Sequence, residues 1–586
     1  MVVAMEVRAR FDDFVSHRAF ELEGLLEELS TRVPRDVPLL VTRAERAASE
    51  GFFVAGFVSY DAAPGFDPNL LVRAGKETAV PLAWFGIFAR SRDVELVTAP
   101  SHHLGGAWAP LGDADAHRRA VATIKDQIRA GWTYQVNLTE RFSQKLDCDP
   151  FELYRQLAAS QRGAYNTFLA TSQWAVASAS PECFFEMADG VVATVPMKGT
   201  ARRGRFPAED QAAADALTQS PKERAENLMI VDLVRNDLGR VAAYGSVAVA
   251  ELFKLECYPT VWQLTSRVSA RLSASSGLTD VFRALFPCGS VTGAPKASTM
   301  RIISQLEQSP RGLYCGAIGT VLPSERGPVA RFSVAIRTAT LDNTSGVATY
   351  GAGGGITFDS DAGAEWAEIG AKTAVLTFSP GDFGLFETFR YEASSGFVNG
   401  PRHLRRLRDS ADFLGIAFDP SAAAQLMSSA RESMPPLARV RLSLSCDGEL
   451  SYEAEVLTEE GLEPLRLAID KVSVDSRDGR LFHKTTARAP FDAARARYPD
   501  VDDVILVNEA DEVTETSRAK LALFIDGEWC TPALACGLLP GVERGRLLEE
   551  GRLVERVITR SMCEGATALA TLSSLRGWRD AILVSA

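Results

Sequence analysis

Around Ser379-Pro380-Gly381 the chain changes pattern: a helical run ends, and GDFGLFETFRYE opens a new strand alternation at a turn. In a chain of 586 residues this break constrains the fold more than any other feature, because single hydrophobic cores stop growing at roughly 250–300 residues. Two units are therefore expected, 1–378 and 381–586, with 1–110 as the N-terminal part of the first. That N-terminal part reads as strands and turns (FFVAGFVSYDAAPGFD, PLAWFGIFARSRDVELV), and strands mix with helices from 110 onward. No internal repeat interrupts either half.

Charge narrows the function. A net charge of −12 argues against a nucleic-acid surface and against acidic membranes. No run approaches the ~18 apolar residues of a membrane span, and MVVAMEVRARFDDF lacks the apolar core of a secretory signal, so a cytoplasmic protein is expected. The nine cysteines contain no C-x-x-C pair, and the six histidines show no metal-ligand spacing. Reduced thiols are expected, and any metal falls to carboxylates, which suits Mg²⁺.

Two segments carry glutamates three residues apart: Glu223 and Glu226 in SPKERAENLMIVDLVRNDLGR, and Glu365 and Glu368 in DSDAGAEWAEIGAKTAV. On a helix such residues share a face, so each pair presents two carboxylates to one side. Four facing carboxylates would form an oxygen cage for Mg²⁺ bound with an anionic substrate. Each pair alone also fits a solvated helix face. Ser220-Pro-Lys-Glu223 is a capping-box pattern, and Glu368 with Lys372 is an ordinary i,i+4 pair. Neighbouring segments add a second signal. VPMKGTARRG sets Lys198 in a turn beside Gly199 and Thr200. FPCGSVTGAPK and TYGAGGGITF are Gly-rich loops whose backbone N–H groups can approach a carboxylate. RFSVAIRTATL places Arg337 at a strand end, suited to a bidentate carboxylate clamp.

In this order, YQVNLTERF, SPECFF, PMKGTARRG, ENLMIVDLVRNDLGR, FPCGSVTGAPK, RGLYCGAIGT, FSVAIRT, YGAGGGIT and DSDAGAEWAEIGAK resemble the chorismate-utilising enzymes, strongly over 110–378. The resemblance implies an α+β fold of antiparallel sheets sandwiched by helices. It implies Glu226 and Glu368 as Mg²⁺ ligands, with Glu223 and Glu365 in or beside the shell. Gly199, Thr200, Thr292, Tyr314, Arg337, Gly353, Gly354, Gly355 and Lys372 would hold chorismate, and Glu182 would act as acid or base near the ring. Lys198 separates the members. Anthranilate synthases carry a small apolar residue there, whereas in aminodeoxychorismate synthases a lysine is thought to attack ring carbon 2 before ammonia enters at carbon 4. No glutaminase motif is present, so ammonia would come from a separate glutamine amidotransferase subunit.

The second half has its own chemistry. PRHLRRLRDSADFLGI crowds Arg402, Arg405, Arg406 and Arg408 near a helix start, either as a solvated face or as an anion site. LLPGVERGRLLEEG is a Gly turn entering a helix, a backbone phosphate cup. With Lys484, Glu515 and TLSSLRGW, these pieces resemble the fold-type IV pyridoxal-phosphate enzymes, an α/β domain spanning about 381–582. The resemblance implies that Lys484 holds pyridoxal 5'-phosphate covalently and that Glu515 pairs with its ring nitrogen. Arg406, Gly541, Val542, Ser573 and Ser574 would bind the phosphate. Two departures stand out: Lys520 replaces a usual Asn, and Ser573 a frequent one. Together the halves imply synthesis of 4-aminobenzoate from chorismate by amination and then pyruvate elimination, as in folate biosynthesis. The alternatives are an anthranilate or isochorismate synthase fused to an aminotransferase, or an inactive second domain.

Overall fold

The computed structural model describes residues 7–75, 78–100, 107–258, 261–376, 383–458 and 463–584. The expected join at Ser379-Pro380-Gly381 lies outside the described residues. Contacts divide the chain into two units, 1–203 with 213–380, and 204–212 with 381–586.

Among the described residues of the first unit, eighteen strands are joined through antiparallel pairings. The N-terminal part is more than the expected strands and turns, because Val37–Ser49 forms a helix, α1. Its buried Val37, Val41, Ala44, Ala47 and Ala48 recur at helical spacing. That stripe is narrow and interrupted by charge, so it is easily lost among neighbouring strand patterns. Strand β1 (Gln135–Lys145) pairs antiparallel with β4 (Val347–Ile356), setting Gly353, Gly354 and Gly355 opposite Thr139, Leu138 and Asn137. Between them in sequence, β2 (Met197–Arg202) pairs with β3 (Val261–Arg271), and the register shifts between Met197 and Thr200.

Two helices complete this part. Helix α2 (Pro221–Gly239) begins at Ser220, whose Oγ accepts a hydrogen bond from Glu223 N at 3.3 Å, with proline in the first turn. It buries Ile230, Val231, Val234 and Leu238, each contributing about 1.5–3 kcal/mol of apolar burial. Helix α3 (Ala362–Thr373) follows β4 and buries Ile369. Phe184 and Phe185 pack edge-on against Phe282 at centroid distances of 6.1 and 5.3 Å, which anchors the chain just after Glu182.

The described residues of the second unit form two sheets. Strand β5 (Leu385–Glu392) belongs to a four-stranded antiparallel sheet, covered by α4 (Gly400–Leu414) through a core of Leu385, Phe389, Leu407, Ala411 and Val440. The other sheet has eight strands in mixed pairing, and includes β6 (Val513–Thr516), β7 (Lys520–Ile525) and β8 (Ala568–Ser573). Helix α5 (Val542–Glu549) packs on β8. Residues 204–212, expected in the first unit, group with the second. Phe206 stacks on Phe482 at 5.1 Å, and Arg205 donates to the carbonyls of Ser476 and Ala535 at 3.0 Å each. A short Arg/Gly run carries no periodicity that would announce such a partner.

Candidate active sites

In the first unit a polar cleft of about 250 Å³ is lined by Glu182, Lys198, Gly199, Thr200, Glu223, Glu226, Tyr314, Arg337, Gly353, Gly354, Gly355, Glu365, Glu368 and Lys372. These residues come from distant segments, and their assembly follows from the pairings above. Lys198 and Gly199 sit at the register shift of β2, with Gly199 at φ +93°, a backbone state that side chains rarely adopt. The shift aims Lys198 into the cleft. Its amine lies over Gly355, where a Cβ would stand 2.9 Å from Lys198 Nζ. Burial lowers the Lys198 pKa against the opposing pull of Glu226. The free amine, the state a nucleophile needs, is thus easier to reach than in an exposed lysine.

Glu182 is buried, and burial pushes its carboxyl up to about 7, although the Ser290 hydroxyl, donating at 2.5 Å, favours the ionised form. Burial, with Glu226 close by, also raises Glu223, and burial raises Glu365 despite a 2.7 Å hydrogen bond from Ser360. Glu368 behaves differently. Burial opposes its ionisation, but Lys372 at 2.6 Å lowers it. Lys372 also donates to Gly353 O at 2.8 Å, and Arg337, at a positive φ of 50°, donates to Lys372 O. Gly354 permits this crowding: a Cβ there would stand 2.9 Å from Glu365 Oε2.

One expected residue stands apart. Thr292 is fully buried outside the cleft wall, its hydroxyl donating to Cys288 O at 3.0 Å and its carbonyl accepting from Asn137 N. That makes it a support for the loop rather than part of the wall. Sequence reading missed Gln135, whose buried amide has no hydrogen-bond partner and whose Nε2 would stand 2.4 Å from a Cβ on Gly355. It also missed Ser290, Gln263 and Lys222 in the wall. Gln135 lay in view within YQVNL, but only the β1–β4 register brings it beside Lys198. An orphaned buried amide calls for a polar ligand.

Among the described residues no three carboxylate, imidazole or thiol groups already converge at metal-binding distance. The expected four-carboxylate cage is therefore not preformed. The donor set still fits Mg²⁺ in chemistry, because it is all oxygen and like-charged. Ligand oxygens from a bound anion would have to complete the shell.

In the second unit, burial, with Arg406 beside it, brings the Lys484 amine down to about 8, and its Nζ lies 4.9 Å from the Phe386 ring centroid. Arg406 forks onto Glu387 at 2.8 and 2.6 Å and donates to Pro540 O at 3.0 Å. Burial alone would raise Glu387, but Arg406 and His403 hold it down to about 2. Gly541 caps α5, whose first residue is Val542, so free backbone N–H groups open at that end. Ser573 Oγ accepts from Arg576 N at 3.0 Å, while Ser574 Oγ is buried without a partner. Lys484, Arg406, Arg441 and Arg488 act together on this site. Arg406, held against the turn that opens α5 and acting on the Lys484 amine, fits a phosphate-bearing cofactor. Glu515, expected beside the cofactor ring, accepts from Leu539 N at 3.0 Å and from Lys520.

Residues 17–378 match the chorismate binding enzyme family, and 384–582 match Amino-transferase class IV. "Aminodeoxychorismate synthase component 1" of Klebsiella aerogenes is 42% identical over 283 residues, which is 48% of this chain and 62% of that protein. Its Salmonella typhimurium counterpart is 39% identical over 52% of this chain and 66% of its own length. The chain thus spans less than two thirds of these two relatives. "Anthranilate synthase component 1" of Cereibacter sphaeroides is 32% identical over 65% of this chain and 81% of that one. The crystal structure of anthranilate synthase component I from Streptococcus pneumoniae superposes with a TM-score of 0.54 at 28% identity, covering 64% of this chain and 94% of that chain. By the extent of the match and the shared fold, this chain belongs to the chorismate binding enzyme family, and carries an Amino-transferase class IV region after it.

Proposed function

We propose that the chain converts chorismate to 4-aminobenzoate in two steps, one in each unit. The observation that carries this reading is the desolvated Lys198 amine, presented by a glycine-bearing register shift into a cleft with Glu182 and two glutamate pairs. Glu226 and Glu368, with Glu223 and Glu365, would hold Mg²⁺, which when bound neutralises substrate carboxylate charge. Arg337 and the N–H groups of the Gly353–Gly355 strand orient the substrate carboxylates. Lys198 Nζ bonds to ring carbon 2 while the carbon 4 to oxygen bond breaks and Glu182 supplies the proton that lets the hydroxyl leave as water. Ammonia then bonds to carbon 4 and the Lys198 amine departs, restoring the ring pattern. A glutamine amidotransferase subunit supplies the ammonia, as the component 1 names of the relatives suggest.

In the second unit Lys484, Arg406, the Gly541–Val542 turn and Ser574 would hold pyridoxal 5'-phosphate, which when bound supplies an electron sink next to the substrate amine. The Lys484 amine, near neutrality, removes the proton on carbon 4 of the aminated ring. The carbon 3 to oxygen bond breaks, enolpyruvate leaves and takes up a proton at its methylene carbon to become pyruvate, and the ring becomes aromatic.

Purified protein incubated with chorismate, Mg²⁺ and ammonium tests the reading. The expected products are 4-aminobenzoate and pyruvate. Lys198→Ala should abolish amination while circular dichroism stays unchanged. Anthranilate as the sole product, or full amination by that variant, would overturn the assignment.

A further inference from the structure

The register shift that aims Lys198 leaves backbone groups to be satisfied. Met197 pairs with Thr265 and Thr200 with Gln263, so Lys198 and Gly199 of β2 together face Leu264 of β3. Two residues opposite one make a β-bulge, which interrupts the ladder, so that carbonyls beside it must find other donors. One side chain supplies them. Asn227 Nδ2 donates to Lys198 O and to Leu264 O, at 3.2 Å each. Its Oδ1 accepts from Ser266 Oγ at 2.6 Å, and only one orientation of the amide makes all three contacts. Asn227 is 1% exposed and does not line the cleft. It sits on α2, next in sequence to Glu226.

We propose that Asn227 is the peg that holds this bulge, and that it sets the position of the Lys198 amine relative to the Glu226 carboxylate. The inference rests on the reading of the first unit as a chorismate-aminating enzyme. A strand that slips by one residue turns each side chain to the other face of the sheet, so Lys198 points into the cleft only while the bulged register is kept. The bonds from Asn227 to Lys198 O and Leu264 O span the two sides of the bulge and favour that register. The same residue belongs to the helix carrying Glu223 and Glu226, so one buried amide fastens the nucleophile's strand to the carboxylate pair. Asn227 is thus a positioning residue that acts through Lys198.

Amination kinetics of the full chain with chorismate, Mg²⁺ and ammonium read the effect, with kcat taken per chorismate site counted by calorimetric titration. Asn227→Ala should lower kcat about 10- to 100-fold, the loss expected when a reacting group moves by about an ångström. The chorismate KM and the Mg²⁺ concentration for half-maximal rate should stay within about twofold, a split that marks lost positioning rather than lost binding. They hold because Ile230, Val231, Val234 and Leu238 still anchor the helix. Ser266→Ala, which frees one end of the amide, should show the same split with a smaller fall in kcat, and serves if Asn227→Ala does not fold. An unchanged kcat in the folded variants, or a raised chorismate KM with kcat retained, would refute the peg while leaving the aminating assignment in place. A wild type that does not aminate chorismate removes that assignment, and this inference with it.

Discussion

Two titrating groups set what single residues should do. Glu182 keeps its proton up to about pH 7 because burial outweighs the Ser290 hydrogen bond. Its carboxyl is raised, so the donating form is present below that pH and is lost above it. Amination, measured at constant free ammonia, should accordingly decline above about pH 7. Glu182→Gln should remove that limb and lower the rate by about 100-fold or more; an unchanged pH profile in the variant would exclude the acid role. Lys484 has the opposite sense. Its amine is lowered to about 8, so it is free above that value and protonated below it. Uptake of pyridoxal phosphate, followed by its visible absorption, should slow as pH drops below about 8, and Lys484→Ala should not develop the band. At this scale the sequence was informative where residue type alone carries chemistry: Lys198, Lys484 and the glutamate pairs stood out in their motifs. It was silent on Gln135, Ser290 and Gln263, ordinary polar residues that acquire meaning only from their neighbours.

Among the elements, β4 constrains the first cleft most. Its glycines are sites of close approach rather than flexibility. At Gly354 a Cβ would meet Glu365 Oε2 at 2.9 Å, and at Gly351 it would lie 2.4 Å from the Tyr314 ring. Gly354→Ala should displace the carboxylate and raise the Mg²⁺ concentration needed for half-maximal rate several-fold, with little change in melting temperature. Gly351→Ala forces a ring and a strand apart, and should cost about 1–3 kcal/mol in chemical denaturation. Equal effects of the two on stability would contradict this division. The run GAGGGI showed that backbone must come close to something. It did not show what, because the partners lie on a ring and a helix placed by tertiary packing. Helix α1 makes the converse point: its stripe of Val37, Val41 and Ala44 was legible at 3.6-residue spacing, yet strand-like neighbours masked it.

For the whole molecule, the two proposed reactions would form a sequence in which the product of one site is the substrate of the other. Lys484→Ala should therefore leave chorismate consumption intact while pyruvate release stops and the aminated intermediate accumulates, as chromatography would show. Lys198→Ala should stop both. Undiminished pyruvate from Lys484→Ala would place the elimination elsewhere. Among the described residues no helix is long and apolar enough to cross a membrane.

The amino-acid sequence by itself pointed to two units, to the family of the first and to the lysines and glutamates that are candidates for chemistry, because motif spacing and residue type are local properties. Tertiary structure alone decided that Thr292 supports a loop instead of lining the cleft, that residues 204–212 group with the second unit, and that Lys520 meets Glu515. Each of those outcomes depends on which surfaces come together across long stretches of chain, and no local pattern records that choice.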